Sequence, residues 1–270
     1  MTDSVNIGGW GNGFQLGDAA NYALIAFCPH NFHGTANSPI YGNLGVGPYS
    51  GIQLANDHLF GNLVTTGAPP VKTGGTVTGS ITGYNWQLNC DISQLKQLSV
   101  DLSHEQGTVL TLHSGQTIEA SCGTWDCHGN LVFTLTNWAD NITIHGADWQ
   151  HVVFNVQNGV DMKLSNVHLS GGLTINHVLF NDLSTKELHG VNNDTFEGTV
   201  LAPYAKVNVD GVDLEGHLFG GACGQDFQWV SGAEVHSPPV CDWQKSWDAH
   251  DHTHGHHIGS QIFDHGVFGL

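Results

Sequence analysis

Short alternating segments dominate the pattern of hydrophobic and polar positions from residue 152 to residue 239. Within each segment apolar side chains take every second position, as Val152, Phe154 and Val156 do. Alternation of this kind predicts β-strands with one buried side. Gly, Asn, Asp or Pro follows each segment and lets the chain turn a corner. Because the corners are too closely spaced for a sandwich or a barrel, the pattern predicts an all-β fold, a β-solenoid.

One upstream segment, residues 91–105, has helical periodicity instead. Its apolar residues recur at the spacing of one helix face: they are Ile92, Leu95, Leu98 and Leu102. Asp91 or Ser93 is a suitable N-terminal cap for such a helix. We therefore expect one α-helix that packs along the solenoid through this apolar stripe.

Five phrases of the sequence carry a resemblance to a known family. They are NSPIYGNLGVGP (37–48), VLFN (178–181), FEGTVLAPYAKV (196–207), DLEGHLFGG (213–221) and GAEVHSPP (232–239). Together they resemble the bacterial choice-of-anchor A surface domain and the related ice-binding-like β-solenoids. The resemblance covers residues 17–239. It implies a right-handed β-solenoid with a helix packed alongside, displayed on the outside of bacteria.

The chain divides into an N-terminal extension (1–16), the solenoid (17–239) and a His-rich C-terminal tail (240–270). The N-terminus lacks the positive charge and apolar run of a secretory signal peptide. No stretch of apolar residues is long enough to predict a membrane span. We expect an extracellular or cell-surface bacterial protein, and this chain either is its mature form or is exported by another route.

The charge balance narrows the range of partners. The chain has 24 acidic residues, six lysines and no arginine, and its formal net charge is −18. Because this charge repels polyanions and no guanidinium is present to bind phosphates, we expect no nucleic-acid partner. Solubility at high ionic strength is one interpretation of the acidity. Ca²⁺ bound on acidic faces is the other, since carboxylate oxygens suit this hard cation.

Six cysteines in a chain of extracellular character predict disulfides. We expect three pairs: Cys28–Cys90, Cys122–Cys127 and Cys223–Cys241. Buried free thiols are the alternative. A zinc site of Cys122, Cys127 and His128 is a weaker hypothesis, because no second cysteine pair accompanies it.

The tail is rich in histidine and aspartate. Its candidate metal ligands are His250, His252, His254, His256 and His257. Imidazoles bind Zn²⁺, Ni²⁺ or Cu²⁺, so the tail is a hypothetical site for one of these ions. A flexible polar tail with incidental metal affinity is the alternative, and we expect no required cofactor.

Catalysis finds little support in the sequence. No nucleophile elbow, zinc-protease motif or phosphate-binding loop occurs. The carboxylates that could pair as in a glycosidase are Asp148, Asp161, Asp210 and Asp213. The lysines that could act as a base are Lys163, Lys186 and Lys206. We interpret both sets as surface or corner residues, most of the eight tryptophans as core or cap residues, and the chain as not an enzyme.

Two functional hypotheses follow, besides a less favoured polysaccharide-active enzyme. The first is a structural or adhesive surface protein that self-assembles into a filament, layer or biofilm matrix by strand exchange through residues 1–14 and 258–270. The second is a monomeric ligand-binding adhesin or an ice-binding-like protein, with a cell-surface or matrix polysaccharide as a partner. Thr76, Thr78 and Thr82 cluster, as do Thr108 and Thr111, but charged residues between positions 152 and 218 interrupt any regular threonine face.

Overall fold

The computed structural model describes residues 14–237, apart from residues 36, 56, 71–73 and 191–192. Among these residues, nine strands precede the helix: β1 (Tyr22–Ala26), β2 (Asn31–Thr35), β3 (Ile40–Tyr41), β4 (Asn43–Val46), β5 (Gly51–Ala55), β6 (His58–Phe60), β7 (Leu63–Thr65), β8 (Thr76–Val77) and β9 (Ile81–Thr82). Helix α1 spans Trp86–Ser103. Among the described residues, no helix is both long enough and apolar enough to cross a membrane.

Up to residue 237, fifteen further strands follow the helix in the described part of the chain: β10 (Thr108–Leu110), β11 (Thr117–Glu119), β12 (Thr124–Trp125), β13 (Asn130–Leu135), β14 (Ile142–His145), β15 (His151–Val156), β16 (Lys163–Leu164), β17 (Val167–Ser170), β18 (Val178–Asp182), β19 (Glu187–Gly190), β20 (Thr195–Ala202), β21 (Lys206–Asp210), β22 (Asp213–Gly220), β23 (Phe227–Val230) and β24 (Glu234–His236). Short 3₁₀ helices occupy Gly17–Asn21, Ala120–Cys122 and Ile175–His177.

The strands build three faces, and within the described residues they pair in parallel except for β12 with β13. The helix-covered face contains β10, β13, β15, β18, β1, β4, β7, β9 and the second halves of β20 and β22. The open face contains β11, β14, β17, β24, β3, β6, β8 and the first halves of β20 and β22. The third face contains β16, β19, β21, β23, β2 and β5. This is the predicted β-solenoid-like architecture, and its right-handed sense stays a prediction.

The coils do not stack in the order of the chain. Strand β1 pairs with both β4 and β22, and β3 pairs with both β6 and β24. The chain therefore starts in the middle of the stack and coils to one end. Helix α1 then leads to the other end, from which the later strands coil back. We call the junction of the first coil (β1–β3) with the last (β22–β24) the seam.

Two long strands turn the corner from the open face to the helix-covered face. Gly198 in β20 and Gly216 in β22 are register partners and both have positive φ, at 134° and 146°. A Cβ on Gly216 would lie 2.1 Å from the carbonyl oxygen of Gly198. Only glycine allows the two bends to stack this closely. The sharp corner predicted at Gly198 is present.

The solenoid interior is filled by ladders of like side chains. Phe133, Phe154 and Phe180 are register neighbours, with ring centroids 5.2 and 5.0 Å apart. All three side chains are at most 2% exposed. Such stacking across successive coils buries apolar surface that a single coil could not cover.

Helix α1 packs against the outer side of the helix-covered face, as its apolar stripe predicts. Its buried residues are Leu88, Asp91, Ile92, Leu95, Leu98, Ser99 and Leu102. They contact outward side chains from six successive strands of the stack: Val132, Val153, Leu179, Leu201, Phe219 and Ile25. An 18-residue helix is about 27 Å long, which matches five strand spacings of about 4.8 Å.

The start and cap of the helix differ from the prediction. The helix begins at Trp86, and Asn85 is its cap, because the Oδ1 atom of Asn85 accepts a hydrogen bond from the Leu88 amide at 2.8 Å. Asp91 instead lies in the buried face and accepts a hydrogen bond from Gln87 Nε2 at 2.9 Å. Burial raises the pKa of Asp91. The stripe extends back to Leu88, so the prediction began one turn too late.

A buried polar cluster fixes the helix on the sheet. Asn181, the last residue of the phrase VLFN, donates to the Ser99 carbonyl and to Asn155 Oδ1, both at 2.9 Å. Ser99 Oγ donates to Asn181 Oδ1 at 2.6 Å, and Asn155 donates to the Leu102 carbonyl at 2.7 Å. Because hydrogen bonds are directional, this network sets the register of α1, which apolar packing alone leaves loose.

The structure contains a disulfide, but the predicted pairing of the cysteines is wrong. Cys28 is bonded to Cys223 across the seam, with their Cα atoms 4.7 Å apart, so the pairs Cys28–Cys90 and Cys223–Cys241 are wrong. Cys90 lies on α1 with a free thiol. Cys122 and Cys127 are also free, because the residues between them extend into β12 and pair with β13. Cys241 lies outside the described residues.

Candidate binding face

Outward side chains of the open face form one continuous row across eight strands. Register pairs place these residues next to one another. From β11 to β6 the row reads Thr117, Thr143, His168, Glu197, Glu215, His236, Tyr41 and Phe60. We call it the central row. Each member projects outward because its neighbours in the strand, such as Leu214 and Val235, point into the solenoid and are fully buried.

Flat rings occupy one end of the central row. Tyr41 stacks on Phe60 with centroids 4.8 Å apart and planes 3° apart, and on His236 at 4.4 Å and 13°. His58 extends the group beside Phe60 at 5.8 Å. Tyr41 is 37% exposed and Phe60 is 44% exposed. Their registered strands hold the rings parallel and stacked face to face, which leaves a rigid apolar platform of ring edges open to solvent.

Carboxylates and imidazoles lie side by side in the middle of the row. His236 Nε2 lies 3.2 Å from Glu234 Oε2 and 3.6 Å from Asp213 Oδ1. Farther along, His168 Nδ1 lies 3.8 Å from Glu197 Oε1, and Glu197 Oε2 accepts a hydrogen bond from the Leu169 amide at 2.5 Å. The middle of the face is therefore rich in hydrogen-bond acceptors.

The acidic part of the row has the donor types of a cation site. One ligand atom each from Asp213, Glu215 and His236 lies within 4.8 Å of the other two. Burial raises the pKa of Glu215, the Asp213 and Glu197 carboxylates raise it further, and His236 opposes them. Asp213 Oδ1 is buried and accepts no hydrogen bond among the described residues. Binding of Ca²⁺ on the acidic faces stays a prediction.

A second aromatic platform lies at the corner between the open and helix-covered faces. Trp125 and Trp149 stack with centroids 6.0 Å apart and planes 9° apart, and they are 52% and 63% exposed. Trp86 is also exposed, whereas Trp229 is fully buried and Trp138 is partly buried. Three of the five described tryptophans are thus exposed, and the interpretation of most tryptophans as core or cap residues is wrong for them.

The carboxylates considered for glycosidase chemistry are dispersed. Asp213 begins β22 on the open face, and Asp210 ends β21 on the third face. Asp148 follows β14, and Asp161 lies in the groove beside Trp138 and Lys163. The lysines are dispersed as well, and the Lys206 ammonium is paired with Glu187 Oε2 at 2.9 Å. Asp161 and Lys163 thus share a groove, whereas Asp210 and Asp213 lie on different faces.

The tail histidines His250, His252, His254, His256 and His257 lie outside the described residues, so their metal binding stays a prediction. The two threonine clusters lie far apart along the solenoid: Thr76 and Thr82 are in β8 and β9 at one end, and Thr108 is in β10 at the other. The central row was not predicted. The sequence signal for this row was the alternation in β3 and β6, where exposed Tyr41 and Phe60 follow buried Ile40 and Leu59.

Solved ice-binding proteins share this fold. The protein from the Antarctic ascomycete Antarctomyces psychrotrophicus is 15% identical with a TM-score of 0.52, and the alignment covers 83% of this chain and 98% of that one. A glycosylated protein from an Arctic yeast is 16% identical with a TM-score of 0.55, covering 84% and 94%. One from an Antarctic Flavobacteriaceae bacterium is 17% identical with a TM-score of 0.56, covering 89% and 52%.

Sequence comparison gives the family. No curated protein is significantly similar to the chain. The family model of the ice-binding-like adhesive domain, however, matches residues 11–237, which include the helix, the seam and all three faces. The predicted relation to ice-binding-like β-solenoids is confirmed at this level, while the narrower choice-of-anchor A assignment stays a proposal. The chain belongs to the ice-binding-like adhesive domain family.

Proposed function

We propose that this chain is an adhesive domain of an extracellular surface protein and that it binds neutral carbohydrate along the open face. The observation that carries the proposal is the stacked platform of Tyr41, Phe60 and His236 beside the acceptors Asp213 and Glu234. The exposed edges of the stacked rings give apolar surface against which the C–H groups of a sugar ring can pack. Carboxylates accept hydrogen bonds from its hydroxyl groups.

The charge of the chain favours an uncharged ligand. With a net charge of −18 and no arginine, the domain repels sulfated and uronic-acid polymers. Neutral polysaccharides pay no such penalty, and they occur on the cell surfaces and in the matrices where an adhesive domain acts.

The length of the open face favours a polymer over a single sugar. Five strand spacings separate β14, beside the Trp125–Trp149 platform, from β3, which carries Tyr41. At about 4.8 Å each, they correspond to about 24 Å. A polysaccharide that contacts both platforms binds with higher affinity, because the second contact forms within the complex and needs no second association step.

The test is a neutral-glycan array followed by calorimetric titration of the strongest binder. Replacing Tyr41 and Phe60 together by alanine is expected to weaken binding at least tenfold, about 1.4 kcal/mol. The matched control is Tyr204→Ala, because Tyr204 is 41% exposed, as Tyr41 nearly is, but lies between β20 and β21 off the central row. Equal affinity of the double variant and the control would contradict the proposal, as would an array without any neutral binder.

Ice binding is the alternative that the names of the solved neighbours suggest. A regular ice-binding surface repeats small groups on every strand, whereas the central row carries Glu197, Glu215 and His236 in its middle. We therefore place carbohydrate ahead of ice. Thermal hysteresis of the purified chain that is lost in the Tyr41 and Phe60 double variant would reverse this order.

Self-assembly on a bacterial surface is a second proposal, supported by the open strand edges. At one end of the solenoid, β5, β8 and β9 each pair on one side only among the described residues. Unpaired edges are templates for strand addition. Negative-stain electron microscopy over a concentration series should then show filaments or sheets. Dispersed particles at every concentration would leave the monomeric adhesin as the proposal.

A further inference from the structure

Three zinc-type ligands converge at the end of the solenoid that lies opposite β9. Cys127 and His128 lie in the loop between β12 and β13, and Glu105 lies two residues beyond the end of α1. One ligand atom from each residue lies within 4.8 Å of the other two. The group joins the helix terminus to the outermost coils.

The distances within the group match tetrahedral zinc geometry. His128 Nδ1 lies 3.5 Å from Cys127 Sγ and 3.6 Å from Glu105 Oε1. A tetrahedral Zn²⁺ with a Zn–S bond of about 2.3 Å and Zn–N and Zn–O bonds of about 2.0 Å places S and N about 3.5 Å apart. The same bond lengths place N and O about 3.3 Å apart. The Sγ–Nδ1 distance therefore equals the tetrahedral value, and the Nδ1–Oε1 distance exceeds it by about 0.3 Å.

A buried carboxylate holds the ligand loop in place. Asp126 Oδ1 accepts hydrogen bonds from the amides of His128 and Asn130 at 2.8 and 2.7 Å, and its Oδ2 accepts from Asn130 Nδ2 at 2.6 Å. The Asp126 side chain is fully buried. Because the loop backbone is fixed before an ion arrives, little ordering entropy opposes binding.

We infer that Glu105, Cys127 and His128 form a Zn²⁺ site with a fourth position open to water. The thiolate, imidazole and carboxylate are the donor types that zinc takes in proteins, and three protein ligands with one open position is a common zinc arrangement. Cys127 is exposed, so the ion has a route to the site. Glu105 takes the place that the sequence hypothesis gave to Cys122, which is not part of the converging group. The bound ion ties the end of α1 to the outermost coils.

Cobalt substitution tests the site separately from the His-rich tail. Co²⁺ bound by a thiolate gives a sulfur-to-metal charge-transfer band that imidazoles alone do not give. We expect a band of one-to-one stoichiometry in the full chain, after titration has confirmed the free thiols. Zn²⁺ should displace the Co²⁺, because zinc binds such sites more tightly. Cys127→Ser should abolish the band, and Glu105→Gln should weaken Co²⁺ binding at least tenfold while the band persists at saturation.

The matched control is Cys122→Ser, which removes an exposed free cysteine five positions away and should keep the full band. Circular dichroism of each variant checks that the solenoid is intact. A wild-type chain without the band would mean that His128 and Glu105 form an ion pair only. A band that survives Cys127→Ser, or is lost in Cys122→Ser, would overturn the ligand set.

Discussion

Replacing Cys28 and Cys223 together by serine is expected to lower the free energy of unfolding by about 3–5 kcal/mol. The disulfide closes a loop with a sequence separation of 195 residues. For a loop of this length the chain-entropy model gives a stabilisation of about 5 kcal/mol. Relaxation of the structure around the lost bond makes the expected change smaller. The seam needs this bond more than other coil junctions do, because its two sides come from opposite ends of the described chain.

Denaturant unfolding of the oxidised wild type and the double variant measures this difference. Cys122→Ser serves as the control, since Cys122 is an exposed free thiol and its change should stay within about 0.5 kcal/mol. Hydrogen exchange adds a local readout: amides of β1 and β22, which pair across the seam, should lose protection first. Unchanged stability would mean that strand pairing alone holds the seam.

Asp182→Asn is expected to stabilise the protein at pH 8 but hardly at all at pH 4. Asp182 is 2% exposed inside the solenoid, and burial raises its pKa to about 7, with the Asp161 carboxylate adding to the shift. Between about pH 4 and 7 the folded state holds a proton that the unfolded state releases, so the stability contribution falls as pH rises. The difference between an ordinary pKa of 3.8 and one of about 7 corresponds to about 4 kcal/mol. Asparagine keeps the acceptor for the Ser184 amide, at 2.9 Å in the wild type, without the charge.

The measurement is the free energy of unfolding of both proteins at several pH values from 4 to 8. Burial lowers the pKa of His151 to about 4, so this residue makes the free energy of unfolding rise with pH, opposite to the effect of Asp182. The His151 effect is common to both proteins and cancels in their difference. Asp140→Asn, at an exposed position, should change stability by less than about 0.5 kcal/mol. If the difference in unfolding free energy between wild type and Asp182→Asn does not vary with pH, buried Asp182 does not ionise in this pH range and the prediction is wrong.

Local patterns in the sequence specified the elements and the buried side of each. Alternation in segments such as Val152–Val156 specifies a strand with one buried side, and the spacing of Ile92, Leu95 and Leu98 specifies a helix face, because both periods follow from local backbone geometry. The glycine corner at Gly198 was predictable for the same reason. The cap at Asn85 was missed because the amphipathic stripe is weak before Leu88.

The neighbours of each coil became evident in the folded molecule alone, and with them the disulfide, the central row and the proposed zinc ligands. Cys28 meets Cys223, and His236 meets Tyr41, across a separation of 195 residues. Glu105 reaches His128 only because α1 leads to the end of the solenoid. Every coil has a similar inward pattern, so periodicity cannot specify the stacking order. That order depends on long-range packing at the seam and beneath the helix, which no local segment of the sequence encodes.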